Sequence, residues 1–156
     1  MANSFDLQVV VVTGLLVTAC SLAPAAAVAP FGQAKPSARA LTLESGAYSS
    51  AQQKRGAAIY NRECSTCHGE TLEGGEGSPP LAGATFRASY GGRTVADLFD
   101  KIRTTMPAPP EQPGKLTATE NADVVAHILS VNKFPAGERE LSTDVEELRR
   151  LVIPPK

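Results

Sequence analysis

The feature that most constrains this 156-residue chain is a run of five residues, Cys64-Ser65-Thr66-Cys67-His68. Two cysteines three positions apart lie on one side of a helical turn, so both sulfurs can reach the edge of one planar group. The histidine that follows immediately projects toward the centre of that group. We therefore expect this segment to fold around a bound cofactor.

The pattern C-x-x-C-H is the attachment signature of a c-type haem. It predicts one covalently attached haem c per chain, held by Cys64 and Cys67, with His68 as an iron ligand. A zinc site is an alternative, but zinc takes four protein ligands in a structural site, and after these three residues only His127 and carboxylates remain. A redox dithiol of the thioredoxin type needs a βαβ context, which the sequence does not predict. A chance match without a cofactor also stays open.

The bulk composition fits a small exported protein with a modest core. Three cysteines cannot all pair, and the third, Cys20, lies in an apolar leader, so a disulfide framework is not expected. Fifteen Lys and Arg stand against sixteen Asp and Glu, and the net charge of -1 predicts no nucleic-acid partner. The aromatic content is 5%, and a bound porphyrin would supplement so thin a core.

The second axial ligand is predicted by elimination. Apart from Met1, the chain contains one methionine, Met106, and Pro107 restricts it to extended conformations that suit a loop over a haem face. The competitor is His127, which stands in the helical sequence AHIL and is expected to be a packed or partly exposed helix residue. Ligation by His68 and Met106 raises the reduction potential and leaves iron no open position. This favours electron transfer over catalysis, so the chain is predicted not to be an enzyme.

The N-terminal residues predict export. Residues 1–27 read as a signal sequence or membrane-targeting leader, because an apolar run is followed by Ala25-Ala26-Ala27, which matches a cleavage site. Residues 17–20 also fit a lipobox, in which Cys20 would be lipidated and tether the protein to a membrane. The two alternatives stay open, and the leader lacks the usual Lys or Arg. The predicted location is periplasmic, with or without a membrane anchor.

The remaining chain is predicted to be all-α, with a flexible Ala/Pro/Ser linker at 28–49, a folded domain at 50–134 and a C-terminal extension at 135–156. Three to five short helices are expected around the cofactor, with a short helical tail. Candidate helix starts are Ser50-x-x-Gln53, Thr94, Thr117-x-x-Glu120 and Thr143-x-x-Glu146. Residues 69–93 contain nine Gly and Pro and are predicted to be mostly loop.

Residues 51–134 resemble class I monohaem cytochromes c. The resemblance is carried by Gly56-x-x-x-Tyr60-x-x-x-Cys64, by CSTCHG, by Pro79-Pro80-Leu81-Ala82-Gly83 and by Thr105-Met106-Pro107. It implies that the first and last helices cross at Gly56 and Tyr60, against Ile128 and Leu129. The family usually has an aromatic residue where His127 stands.

The same resemblance implies contacts around the cofactor. The Pro79 carbonyl is expected to accept a hydrogen bond from His68, which orients the imidazole and strengthens its donation to iron. Leu81, in the same run, is expected to contact the haem. A narrower resemblance over residues 51–153 is to small cytochromes that occur alone or joined to pyrroloquinoline-quinone-dependent alcohol dehydrogenases.

These observations favour a single-electron carrier that takes electrons from a periplasmic dehydrogenase and passes them to an oxidase or another cytochrome. The alternative is a haem-containing subunit of an oxidoreductase, for example one of peroxidase or sulfur-compound chemistry. A further hypothesis concerns Arg93, which lies between the attachment motif and Met106. An arginine can donate two hydrogen bonds to one carboxylate, so Arg93, helped by Tyr90, is predicted to hold a haem propionate.

Overall fold

The computed structural model describes residues 42–75, 77–108 and 113–155. Within these ranges the chain is helical and contains no strand, which confirms the all-α prediction. A 3-10 turn at Leu43–Ser45 precedes six helices: α1 (Ser50–Glu63), α2 (Ser65–His68), α3 (Gly83–Tyr90), α4 (Val95–Thr105), α5 (Ala118–Val131) and α6 (Val145–Arg149). The leader, Cys20 and most of the predicted linker lie outside the described residues.

The helix starts follow the capping chemistry of the sequence. Thr117 caps α5 in a reciprocal box with Glu120, as predicted, and Thr94 caps α4 in the same way with Asp97. The first and last predicted starts are shifted by one residue. Ser49 caps α1 through the backbone N–H of Gln52, and Asp144 caps α6.

Residues 69–93 are mostly loop, as predicted, but residues 83–90 within them form helix α3, which the prediction did not include. Its sequence, GATFRASY, places Phe86 and Tyr90 one turn apart, and their rings stack with centroids 5.2 Å apart. Phe86 is fully buried. The Gly and Pro residues that predicted a loop are concentrated before Gly83 and after Tyr90. Between them, burial of the Phe86 ring outweighs the weak helix propensity of the segment.

Helices α1 and α5 cross at Gly56, as the resemblance implies. A Cβ atom on Gly56 would lie 1.8 Å from the backbone oxygen of Asp123, so no larger residue fits without moving a helix. One turn along α1, the buried Tyr60 ring lies 5.2 Å from the ring of His127. The residues that face Gly56 are thus Asp123 and His127, while Ile128 and Leu129 are buried in the core beside them.

The predicted domain boundaries at 50 and 134 do not match the packing. Leu43 and Tyr48 are buried, and the Tyr48 hydroxyl donates to the backbone oxygen of Phe134. Residues 43–49 of the linker predicted for 28–49 are therefore part of the folded domain. The reason is apolar burial: a segment that looked Ser- and Ala-rich carries two large apolar side chains near its end.

The predicted C-terminal extension is part of the core. Leu141, Leu148, Leu151 and Ile153 are all buried. Residues 151–153 pair antiparallel with residues 92–95 through three backbone hydrogen bonds: Gly92 to Ile153 at 2.8 Å, Ile153 to Arg93 at 2.9 Å and Val95 to Leu151 at 2.8 Å. The tail thus covers α4.

An ion-pair cluster fastens α1, α5 and the tail together. The Arg55 guanidinium donates to both carboxylate oxygens of Asp123 at 2.9 Å and to Glu140 at 2.9 Å. The Asp123 carboxylate is almost fully buried, so the bidentate pairing offsets its loss of hydration. This cluster was not predicted from the sequence. Among the residues that the structure describes, no helix is long and apolar enough to cross a membrane.

Candidate functional site

A cavity of about 570 Å³ lies between the motif segment, the end of α4 and α5. It brings together six of the residues that the sequence analysis selected: Cys64, Cys67, His68, Pro79, Leu81 and Met106. Its remaining wall is largely apolar and includes Ile102, Val124 and Ile128. Residues far apart in sequence therefore converge on one space.

The two cysteines lie on a helical turn, as their spacing predicts. Cys64 ends α1, and its backbone oxygen accepts from the N–H of His68 at 2.9 Å, so α2 continues the turn. Cys64 is half-buried and Cys67 is exposed, and the two are not joined by a disulfide. Burial, reinforced by the charge of Glu63, raises the pKa of the Cys64 thiol to about 11.

The imidazole of His68 is fixed by one hydrogen bond. Its Nδ1 lies 2.9 Å from the backbone oxygen of Pro79, and the side chain is buried. A carbonyl oxygen can only accept, so Nδ1 carries the proton and the neutral ring keeps its lone pair on Nε2. The hydrogen bond that the resemblance implies is present, and it selects the tautomer that can ligate a metal through Nε2.

Met106 ends α4 in an extended conformation, with φ -122° and ψ 150°, as the following Pro107 predicts. Its backbone N–H donates to Ile102 at 3.0 Å, and its backbone oxygen accepts from Gly114 at 3.2 Å. The side chain is partly buried against the core and lines the cavity.

A charged group lines one side of the cavity, and the sequence analysis did not predict it. The Glu63 carboxylate lies 2.6 Å from Lys115 Nζ and 2.7 Å from Arg62 Nε. The hydrogen bonds from Lys115 and then Arg62 hold the pKa of Glu63 below its usual value. The pair joins the end of α1 to the segment before α5, two parts of the cavity wall.

The donor set of the cavity suits a haem better than an isolated metal ion. Two thiols, an imidazole nitrogen and a thioether sulfur line a largely apolar space, which matches a porphyrin with an axially ligated iron. The described residues contain no group of three or more His, Cys, Asp or Glu side chains able to hold a metal ion, so the zinc alternative lacks a ligand set there.

His127, the competing axial ligand, is absent from the described cavity wall. Its ring packs on Tyr60, and its Nδ1 is buried without a hydrogen-bond partner among the described residues. Burial lowers the pKa of His127, which favours the neutral ring. His127 therefore packs against α1 where α1 and α5 cross, as expected for a packed helix residue.

Tyr90 and Arg93 are also absent from the described cavity wall. The Arg93 guanidinium lies 5.6 Å from the centre of the Tyr90 ring and 3.8 Å from Asp97. Its backbone pairs with Ile153. The structure thus places both residues beside the C-terminal tail, and their contact with a propionate stays a prediction.

Comparison with known proteins gave three findings. The family model described as "Cytochrome C oxidase, cbb3-type, subunit III" matches residues 51–128. A similar solved structure is the sulfane dehydrogenase SoxCD from Paracoccus pantotrophus, with 21% identity and a TM-score of 0.45. The match covers 65% of this chain and 52% of that one, so the chain spans about half its length. No curated protein matches this chain.

Proposed function

This chain belongs to the family described as cytochrome c oxidase, cbb3-type, subunit III, and on that premise we propose which residues hold its haem and where its electrons go. It is a class I monohaem c-type cytochrome with covalently bound haem c, and its activity is electron transfer. In the proposal, Cys64 and Cys67 would form the two thioether bonds, and His68 Nε2 and Met106 Sδ would ligate the iron.

One observation carries this assignment. His68 and Met106, which are 38 positions apart in the sequence, line the same cavity as both cysteines. Haem c supplies an iron that alternates between the ferrous and ferric states and so accepts and releases single electrons.

Residues around the cavity affect the oxidation state that the iron prefers and the side from which a redox partner approaches. The Pro79 carbonyl orients His68 and makes its Nε2 a stronger donor. The neutral Met106 thioether and the apolar wall at Ile102, Val124 and Ile128 favour the less charged, ferrous state. Thr66, Cys67 and Ala108 line the cavity and are exposed, so they mark the side on which a partner approaches closely enough for electron transfer.

We further propose that the protein works in the periplasm, taking electrons from a dehydrogenase and passing them to a respiratory acceptor. Export is supported by the leader at 1–27 and by the attachment chemistry, which takes place outside the cytoplasm. The resemblance of residues 51–153 to cytochromes associated with alcohol dehydrogenases supports the donor, and the family description, which names an oxidase subunit, supports the acceptor. A tether would be supplied by the leader or by a lipidated Cys20.

The test is a redox titration of the protein purified from a strain that matures c-type cytochromes. We expect low-spin spectra in both oxidation states and a methionine–iron charge-transfer band in the ferric state. A high-spin ferric spectrum would mean an open iron position and would favour the alternative of an oxidoreductase subunit. Export is checked separately by fractionating the cells and locating the covalent haem.

A further inference from the structure

Asn132, the residue directly after α5, is a buried polar side chain with no role in the proposed haem ligation. It is 3% exposed. Its Nδ2 donates to the backbone oxygens of Leu81 and Ile128, both at 2.9 Å, and its Oδ1 accepts from the N–H of Gly83 at 3.0 Å. The carboxamide therefore joins the end of α5 to residues 81–83.

These partners fix the orientation of the carboxamide. Exchanging its oxygen and nitrogen would set an NH₂ group against the Gly83 N–H and an oxygen against two carbonyls. The contact with Gly83 also replaces a missing cap. Ala82, at the N-cap of α3, has no side-chain acceptor for the first helical N–H groups, and Asn132 supplies one from the C-cap position of α5.

The segment that Asn132 holds leads directly to His68. The Leu81 N–H donates to Leu72 at 2.9 Å, so with Asn132 on its carbonyl both backbone groups of Leu81 are fixed. Pro80 has a restricted φ and is therefore a stiff link from Leu81 back to Pro79. The Pro79 oxygen, in turn, accepts from His68 Nδ1.

We propose that Asn132 is a positioning residue that sets the strength of the His68–Pro79 hydrogen bond and, through it, the donor strength of His68. The contacts form a continuous series from Asn132 through Leu81 and Pro79 to the imidazole. This inference rests on the proposed axial role of His68. It adds a control on reduction potential that is located on α5, outside the attachment motif.

The test compares Asn132→Ala with Gln52→Ala in the mature haem protein. Gln52 is a matched control because its carboxamide is also buried and also holds a backbone segment, with Oε1 accepting from Leu141 N–H and Nε2 donating to Leu141 oxygen. That segment belongs to the tail, and its hydrogen bonds with Gln52 do not involve His68 or Pro79. Both variants lose buried hydrogen bonds, so both should have a lower melting temperature.

Only Asn132→Ala is expected to change the His68 environment. In the ferrous state, NMR should show a shifted His68 Nδ1–H resonance that exchanges with solvent about tenfold faster, since a looser Pro79 carbonyl protects it less. The reduction potential should rise because a weaker hydrogen bond makes the imidazole a poorer donor to ferric iron. Gln52→Ala should keep the parent values of both.

Two outcomes would overturn the proposal: parent-like exchange and potential in Asn132→Ala, or equal changes in Gln52→Ala. If Asn132→Ala does not mature, Asn132→Leu keeps the side-chain volume, and Pro80→Ala loosens the link without touching Asn132. Each of these two variants should raise the reduction potential and speed the Nδ1–H exchange, as expected for Asn132→Ala. Parent-like values in Pro80→Ala would also contradict the proposal. Failure of the proposed ligation would differ, because the parent protein itself would then lack a His68 ligand resonance.

Discussion

His68 and Met106 line the same cavity, but the structure holds them in different ways. The His68 ring is buried and fixed by a side-chain hydrogen bond to a segment that two prolines and Asn132 restrain. In the described residues Met106 is held through its backbone, to Ile102 and Gly114, and its side chain is partly buried without a hydrogen bond. The histidine side is thus set by polar contacts, including those of Asn132 after α5, and the methionine side by apolar packing and the position of α4.

This difference indicates how far the position of each proposed ligand, His68 or Met106, depends on the rest of the fold. Residues 60–75 form a closely bonded unit: the Tyr60 hydroxyl donates to the Gly69 backbone oxygen at 2.8 Å, and the Gly74 N–H donates to the His68 backbone oxygen at 2.8 Å. Met106 reaches the cavity only because α4 packs on the core and is covered by the C-terminal tail. We therefore expect changes on the two sides to have separable effects.

The largest effect is expected on the histidine side, from the double variant Cys64→Ala and Cys67→Ala. Without either sulfur no covalent bond to the haem can form, so little or no mature protein should accumulate. The measurement is haem staining after denaturing electrophoresis, with total protein followed by immunoblot. Normal haem staining in the double variant would remove the proposed role of both cysteines.

On the methionine side, Met106→Ala should keep the covalent haem and change its ligation. The ferric charge-transfer band should vanish. The reduction potential should fall by roughly 0.1–0.3 V, because axial ligands shift haem potentials over about 0.8 V. Redox titration with spectra checks this. A parent-like spectrum and potential would contradict the assignment of Met106 as an iron ligand, and the comparison of His68 and Met106 as two ligands would then no longer hold.

The helix crossing supports both sides, so Gly56→Ala should affect stability more than spectra. An added Cβ would lie 1.8 Å from the Asp123 oxygen, which forces α1 and α5 apart. The expected loss is about 3 kcal/mol in the free energy of unfolding, despite the better helix propensity of alanine. Thermal or denaturant unfolding measures it, and Ala58→Ser at an exposed position of α1 is the control. Equal stability of the two variants would argue against a close crossing.

The smallest effect is expected at the start of α4, where Asp97 accepts from the backbone N–H and hydroxyl of Thr94, both at 2.8 Å. These hydrogen bonds lower the pKa of Asp97. A carboxylate with a lowered pKa stabilises the fold above its unfolded value of about 3.9, and this contribution is lost as the pH falls through the folded pKa.

The Asp97→Asn variant should therefore melt below the parent at neutral pH, and the difference should narrow below about pH 4. The matched control is Asp100→Asn, which removes an exposed ion pair with Arg103 on the same helix and should change stability little. If the difference in melting temperature between the parent and Asp97→Asn stays constant from pH 7 to pH 3, the charge of Asp97 does not stabilise α4.

The sequence predicted the residues that line the cavity better than the boundaries of the fold. Motif spacing, a single internal methionine and periodic apolar residues are local signals, and they identified α1, α4, α5 and the cavity residues. Helix α3 was missed because the nine Gly and Pro residues were counted over the whole of 69–93. That count gave no weight to Phe86 and Tyr90, which are one helical turn apart. The cluster of Arg55, Asp123 and Glu140 and the role of Asn132 were missed because their partners are more than 45 positions away.

The tail at 141–153 has a consequence for how the chain matures. Gln52 pairs with Leu141 across 89 positions, and Gly92 pairs with Ile153, so these contacts can form only after the tail has been synthesised. Contacts of such long sequence separation slow folding. The attachment motif is made well before Val124 and Ile128, which complete the cavity wall. Until α5 has been synthesised and has packed, the cysteines are therefore accessible from a side that α5 closes in the folded protein.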